Sequence, residues 1–349
     1  MIIRRSTPIA LALLLLCGVA ALPVSAQFDS TTRDVTKRGT TAAEFLSIPV
    51  GARATAMSNA ISASIEGPTS IYWNPAGLAS MTGGAFTAEY AQWLAGIDFS
   101  YVALAVNGSF GTIGFGLTSM RVPDMEVTTV NEPDGTGEQF DASSYSVSLA
   151  YAKSLTDRFG IGGSVKLVNE RIWNSTASGV AFDIGTMFET PFHGIRLGAS
   201  ISNFGSKMQI GGEDLLVVVD IDPNNRGNNE SNRALLRTDE FDLPLVMRIG
   251  LAGEVVNNEQ YRVTLAIDAL NPNNSEQYVN VGAEVGLLGD LIMLRGGYGE
   301  IFLTDNVRSW SAGVGLRYRF APLDFAIDYA YESQEFFSDI SRFTLTVQF

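Results

Sequence analysis

The chain has 349 residues and a formal net charge of −14, with 46% hydrophobic residues and one cysteine. A chain this acidic offers no basic stripe to a phosphate backbone, which excludes nucleic acid as a partner on electrostatic grounds. Past its N-terminus it is apolar without any run near the ~20 residues a spanning helix needs, leaving a large soluble β protein or a membrane β-barrel.

The first element is an address. Arg4 and Arg5 precede an apolar run from Ile9 to Leu22, and Val24-Ser25-Ala26 supplies a small-x-small cleavage site, so residues 1–26 read as a secretory signal. Cys17 follows Leu16 rather than a small residue, which argues against a lipid anchor. Cleavage after Ala26 removes both arginines and the only cysteine, so the exported chain uses neither disulfides nor thiolate ligands.

Residues 27–44 form a lead-in, polar and charged from Gln27 to Thr41, and are expected on the periplasmic side. Residues 45–83 belong neither to this lead-in nor to the strands that follow. Pro49 keeps Phe45–Val50 from being a central strand. Small residues dominate Ala52 to Ile65, as in a helix that must pack closely, and Gly67-Pro68 stops it. Asn74 and Pro75 then mark a second helix start, continued by Ala76 and Gly77, because Asn accepts an orphan N–H and Pro has none to lose. The stretch is either a hatch threaded into a barrel lumen or two short helices on a soluble domain.

From Gly84 onward the period is two. Phe343, Leu345, Val347 and Phe349 oppose Arg342, Thr344, Thr346 and Gln348; Tyr261 to Asp268, Trp310 to Phe320 and Leu323 to Glu332 alternate in the same way. Such faces suit a sandwich core or a membrane barrel equally well. The connections discriminate. Candidate strands fall at 84–94, 97–107, 110–121, 143–153, 158–170, 177–189, 193–203, 243–256, 259–270, 276–286, 289–299, 308–320, 323–333 and 339–349. Connections after even-numbered strands are short, whereas those after odd-numbered ones are mostly longer, apart from Ala95-Gly96. An even strand count with loops sorted by parity is the outer-membrane pattern, and a sandwich has no reason to produce it. The fold class is therefore all-β: a transmembrane antiparallel barrel of about fourteen strands over 84–349, with a small N-terminal helical hatch in its lumen. Tyr90, Trp93, Tyr101, Tyr145, Tyr151, Phe159, Tyr278, Tyr298, Trp310, Tyr318, Phe320 and Tyr331 are candidates for the two interfacial girdles, and Phe349 for the terminal barrel-assembly signal.

Phe45 to Ala79, above all Gly51-Ala52-Arg53-Ala54 and Tyr72-Trp73-Asn74-Pro75-Ala76-Gly77-Leu78-Ala79, resembles the opening of the PorV/PorQ family of outer-membrane proteins, which are similar to the FadL long-chain fatty-acid channel. Leu243-Pro244 through Arg248-Ile249-Gly250 resembles a later strand motif of that family. A departure is Met57-Ser58-Asn59-Ala60, where the family usually has Met-Gly-Gly-Ala. The resemblance implies a fourteen-stranded barrel whose hatch is held by Arg53 against a luminal carboxylate such as Asp268, Asp324 or Asp328. It also implies either an accessory role in type IX protein secretion, with secretion-system or exported proteins as partners, or FadL-like passive movement of a hydrophobic ligand.

Other candidate sites are weak. His193 is the only histidine, so a catalytic triad or histidine metal site lacks its parts. Asp220-Ile221-Asp222-Pro223-Asn224 opens like a calcium loop, but Asn225 and Ser231 stand where glycine and the bidentate glutamate belong. No motif asks for a cofactor, and no acid/base constellation supports an enzyme. In the loop from Phe204 to Asp242, Leu215-Leu216-Val217-Val218-Val219 is an apolar run that either folds over the mouth as a landing site or extends a neighbouring strand above the membrane. Lipid is the remaining partner, covering the apolar strand faces.

Overall fold

Strands that alternate apolar and polar side chains, joined by tight turns, fold back on one another into a single meander. The computed structural model describes residues 37–349 except 193, 223, 225–230, 259, 304–305, 307 and 336. The signal sequence, residues 27–36, His193, Pro223 and Asn225 lie outside the described residues. The barrel strands are β1 (Gly84–Gln92), β2 (Asp98–Gly108), β3 (Gly111–Glu126), β4 (Gln139–Thr156), β5 (Phe159–Ile172), β6 (Ser175–Glu189) and β7 (Arg196–Gly205). They continue as β8 (Val246–Asn257), β9 (Tyr261–Pro272), β10 (Tyr278–Leu287), β11 (Ile292–Ile301), β12 (Arg308–Phe320), β13 (Leu323–Gln334) and β14 (Ile340–Gln348). Each pairs antiparallel with its sequence neighbour, and β14 pairs back on β1 from Ala85↔Gln348 to Gln92↔Ser341, closing the ring. Closure satisfies every ladder and leaves no edge, the condition a sheet must meet to cross lipid.

The alternation resolves as a membrane barrel requires. On β12 to β14 the outward side chains Val314, Leu316, Ile327, Phe343 and Leu345 are exposed, whereas Ser311, Asp328, Ala330, Arg342 and Thr344 are buried inward. A continuous outward apolar band is costly in water and favourable in hydrocarbon. The chain is therefore an outer-membrane barrel, and the short connections at 109–110, 157–158, 190–195, 258–260, 288–291 and 321–322 mark its periplasmic end. The opposite, outer end carries the connections at 127–138, 206–245, 273–277, 302–307 and 335–339.

Two connections differ from the sequence expectation. The link between β5 and β6 is only Trp173-Asn174, because both strands run further than their alternation suggests, up to the pair Ile172↔Ser175. The first connection, at 93–97, is longer than Ala95-Gly96. Tyr101 is not a girdle residue: it is buried inward, and its hydroxyl donates to Pro68 O at 3.2 Å. Trp93 also turns inward, where Arg308 and Arg342 lie over its ring.

Residues 42–81 fill the lumen, most of them buried. α-Helix occupies only Ala52–Ala56 and Ser70–Trp73, with 3-10 turns at Glu44–Ser47 and Pro75–Ser80. The helix expected through Ile65 stops early because Ser58 and Asn59 take left-handed φ values of 47° and 65°. Glycine would reach this conformation without steric cost, and here Ser and Asn adopt it. Close approach is supplied by the wall instead. A Cβ on Gly162, Gly185, Gly198, Gly282, Gly297 or Gly313 would fall between 2.0 and 2.7 Å from an atom of the luminal segment.

The lead-in also differs from expectation. Ala42 N–H donates to Asp242 O at 2.9 Å, Ala43 N–H to Glu170 Oε2 at 3.0 Å, and Asn274 Nδ2 to Thr41 Oγ1 at 3.1 Å. All three partners lie at the end bearing the long loops, so residues 41–43 sit at the outer end rather than on the periplasmic side. Polarity reports exposure to water but not which face of the membrane the water is on.

Candidate functional site

The luminal segment is held by polar groups that strand alternation turns inward. Arg53, on the helix Ala52–Ala56, donates from Nε to Glu284 Oε2 at 2.9 Å and from Nη1 to Ser64 O at 2.9 Å. The partner is Glu284 on β10, not Asp268, Asp324 or Asp328. Glu284 also receives Arg295 Nε at 2.7 Å and Arg262 Nη2 at 3.0 Å, and Arg295 Nη1 reaches Asp328 Oδ1 at 2.6 Å. Asp268 instead accepts the backbone N–H groups of Ile61 and Ser62 at 3.0 and 2.8 Å. Asp324 pairs with Arg319 near the periplasmic rim. Around the helix start, Glu89 accepts Gly51 N–H and pairs with Arg342 at 2.8 Å, and Thr344 Oγ1 accepts Ala52 N–H at 2.8 Å.

Asn74 and Pro75 act as their sequence implies. Asn74 Oδ1 accepts Ala76 N–H at 3.1 Å, and Pro75 opens the turn. Asn74 Nδ2 additionally donates to Ser62 O at 2.9 Å and Thr186 O at 3.1 Å, tying two parts of the luminal segment to β6. Ala76 is buried, and a Cβ on Gly77 would sit 2.6 Å from both Ile65 O and Ser70 Oγ, so only glycine fits there. Neighbouring aromatics brace the same core. Trp73 Nε1 donates to Val50 O at 2.7 Å, and the Tyr72 hydroxyl lies 2.5 and 2.6 Å from Leu46 O and Ile48 O. Burial pushes the Tyr72 phenol well above its usual range, keeping it a donor.

Two larger spaces flank this core. At the outer ends of β3 to β6 an open cavity of about 540 Å³ is lined by Met125, Val127, Phe140, Ile172, Trp173 and Ile210, with Glu126 and Asp214 among its polar members. Asp214 ties the long loop to the β5–β6 turn, accepting from Asn174 N–H at 3.0 Å and Ser175 Oγ at 2.9 Å. At the periplasmic end a wet cavity of about 600 Å³ is lined by charged groups that include Arg53, Glu66, Arg262, Glu284, Asp290 and Arg317. The apolar run predicted at Leu215–Val219 lines neither. Leu215 ends a 3-10 turn, and Leu216, Val217, Val218 and Val219 pair with Asn232–Leu235 as a separate hairpin with Leu216 and Val218 exposed. It is therefore not an extension of a barrel strand. Phe349 closes the β1–β14 seam by exchanging backbone hydrogen bonds with Gly84 at 2.7 and 2.8 Å.

No protein-family model and no curated protein sequence matches the chain. Among solved structures it is similar to the CymD monoaromatic hydrocarbon channel (TM-score 0.55, 13% identity, covering 86% of this chain and 98% of that one). It is also similar to the Pseudomonas putida toluene transporter TodX (0.54, 14%, 85% and 96%) and to a Pseudomonas aeruginosa FadL homologue (0.53, 12%, 86% and 98%). The chain has a FadL-like fold. At these identities the likeness concerns backbone architecture alone, and it gives the narrower PorV/PorQ resemblance no support.

Proposed function

We propose that this barrel passively admits a hydrophobic small molecule from outside, capturing it in the apolar cavity at the outer ends of β3 to β6. That cavity is the observation that carries the reading. Its size falls in the range of ordinary ligand pockets, and its walls are aromatic and aliphatic with polar groups among them. Ile210 packs against one hydrophobic cluster that also holds Met208, Leu243 and, from the luminal segment, Phe45 and Leu46. The FadL-like neighbours that are described as hydrocarbon or toluene channels favour the same solute class over protein secretion. In this reading the luminal segment is a hatch, and the solute meets its apolar upper part first.

The test is uptake of radiolabelled toluene by cells that lack other such channels and express the native chain or Phe140→Asp. Native uptake above the empty-vector level, lost in the variant, is expected, because a carboxylate in the cavity repels an apolar solute. Uptake equal to the vector, or a folded Phe140→Asp barrel as active as native, would overturn the reading. Recovery of exported proteins or a large translocon on the native barrel would favour the secretion role instead.

A further inference from the structure

On β10, β11 and β13 the inward residues Glu284, Arg295 and Asp328 line the 600 Å³ cavity, together with the apolar Met293. Four residues further outward on the same strands come Asn280, Gly299 and Glu332, which with Ser311 line a second, small polar cavity of about 20 Å³. Between the two lies one layer of wall, made of Gly282, Gly297, Gly313 and Ala330. Against that layer sit Ala52 and Ala56 of the five-residue helix Ala52–Ala56, then Met57 and Ser58. The small cavity is polar enough to be wet: Thr55 Oγ1, Asn59 Oδ1 and Glu332 Oε2 are buried there without a protein hydrogen-bond partner. Its volume admits about one water.

We infer that the helix Ala52–Ala56 is a shutter across a second, hydrophilic route for small ions, running along β10 to β13 and separate from the apolar cavity. The start of the shutter is held by Glu89 on Gly51 N–H and Thr344 Oγ1 on Ala52 N–H, and past that start few groups close it. Arg53 to Glu284 fixes its periplasmic side; Ser311 Oγ fixes its outer side, accepting Ser58 N–H at 3.0 Å and lying 2.7 Å from Ser58 Oγ. Moving the shutter uncovers one small apolar layer, Ala52, Ala56, Met57 and Ala330, between layers that are already charged or polar. On the wall side the seal is Gly282, Gly297, Gly313 and Ala330, which present little for a displaced helix to catch on.

The experiment is single-channel recording in planar bilayers in potassium chloride, which requires no hydrophobic ligand and so is independent of toluene uptake. The native barrel is expected to show no discrete openings. Arg53→Ala and Glu284→Gln are expected to open in steps, and Arg53→Lys, which keeps the charge but loses the guanidinium fork, less often. Because the exported chain has no cysteine, a Ser58→Cys/Ser311→Cys pair placed in the Arg53→Ala background forms a single engineered disulfide across the shutter. Oxidation should abolish the steps, and reduction should restore them. Heat-modifiable gel mobility confirms that each variant is a folded barrel. Silent folded Arg53→Ala and Glu284→Gln barrels, or steps in any variant that persist after oxidation of the cysteine pair, would overturn the inference.

Discussion

Removing the Asn74 side chain should release the luminal segment while leaving the barrel closed. Asn74→Ala deletes the cap on Ala76 N–H and the two donations to Ser62 O and Thr186 O. An N-cap is worth ~1 kcal/mol, and each neutral buried hydrogen bond ~0.5–1.5 kcal/mol net. The three losses sum to roughly 2–4 kcal/mol against docking of the segment, a shift of roughly 30- to 700-fold in the opening equilibrium at ~1.4 kcal/mol per decade. The assay is limited proteolysis of the detergent-solubilised barrel, since cleavage tracks the open population when reclosing is fast. Cuts should cluster between Ile65 and Thr69, where Glu66 is exposed and Gly67 left-handed. Asn74→Asp sharpens the test: it retains the acceptor for Ala76 N–H but aims a carboxylate at two carbonyl oxygens, so it should open at least as readily as alanine at neutral pH. Equal protease resistance of native and Asn74→Ala, or an Asn74→Asp barrel as closed as native, would refute the assignment of these three bonds as the anchor.

Two further perturbations address the wall and the outer loop. Gly162→Ala places a methyl 2.4 Å from Pro75 C and 2.6 Å from Ala76 N, both backbone atoms that cannot rotate away. It should loosen the Pro75–Ser80 turn by ~1–3 kcal/mol, read as faster cleavage within 65–81 in a barrel of unchanged gel mobility. At the outer end, burial pulls the Asp214 carboxyl upward, but hydrogen bonds from Ser175 and Asn174 prevail and hold it below the usual range. Its contribution to docking the loop is therefore complete above the unfolded pKa of ~3.9 and disappears as pH falls through the lower folded value. Hydrogen exchange of residues 206–222 should rise over that acid window in the native chain and show no such step in Asp214→Asn.

The barrel was legible because its two strongest signals are periodic. Alternation placed Val314, Leu316 and Phe343 on one face and Ser311, Asp328 and Arg342 on the other, as the burial of each now has it. Loop parity then chose lipid over a second sheet. What sequence left open is what periodicity does not encode. Asp268, Asp324 and Asp328 had the correct inward face to meet Arg53, but so did Glu284, and only the depth of the helix in the lumen decides among them. One signal for that depth was present and went unused: Gly282, Gly297 and Gly313 sit mid-strand on inward positions, where a missing side chain means that another backbone comes close. The apolar cavity had no such trace, since Met125, Phe140, Ile172 and Ile210 come from four separate segments.

The interior is divided lengthwise, and the division explains how one short segment can serve two environments. Toward β2 to β7 it presents Ile71, Tyr72, Trp73 and Leu78, buried against a wall where Ile71 and Leu78 meet the Gly114 position. Apolar packing of this kind is non-directional and tolerates a shift of register. Toward β10 to β14 it presents Arg53 and the backbone N–H groups of Ala52 and Ser58, each met by one wall group at hydrogen-bond distance. Directional contacts fail abruptly once displaced, whereas apolar ones yield gradually. The β2 to β7 side carries directional anchors too, Asn74 Nδ2 to Thr186 O at 3.1 Å and Ser200 Oγ to Trp73 O at 3.0 Å, so the segment yields to a pressing solute only when hydrogen bonds on both sides break.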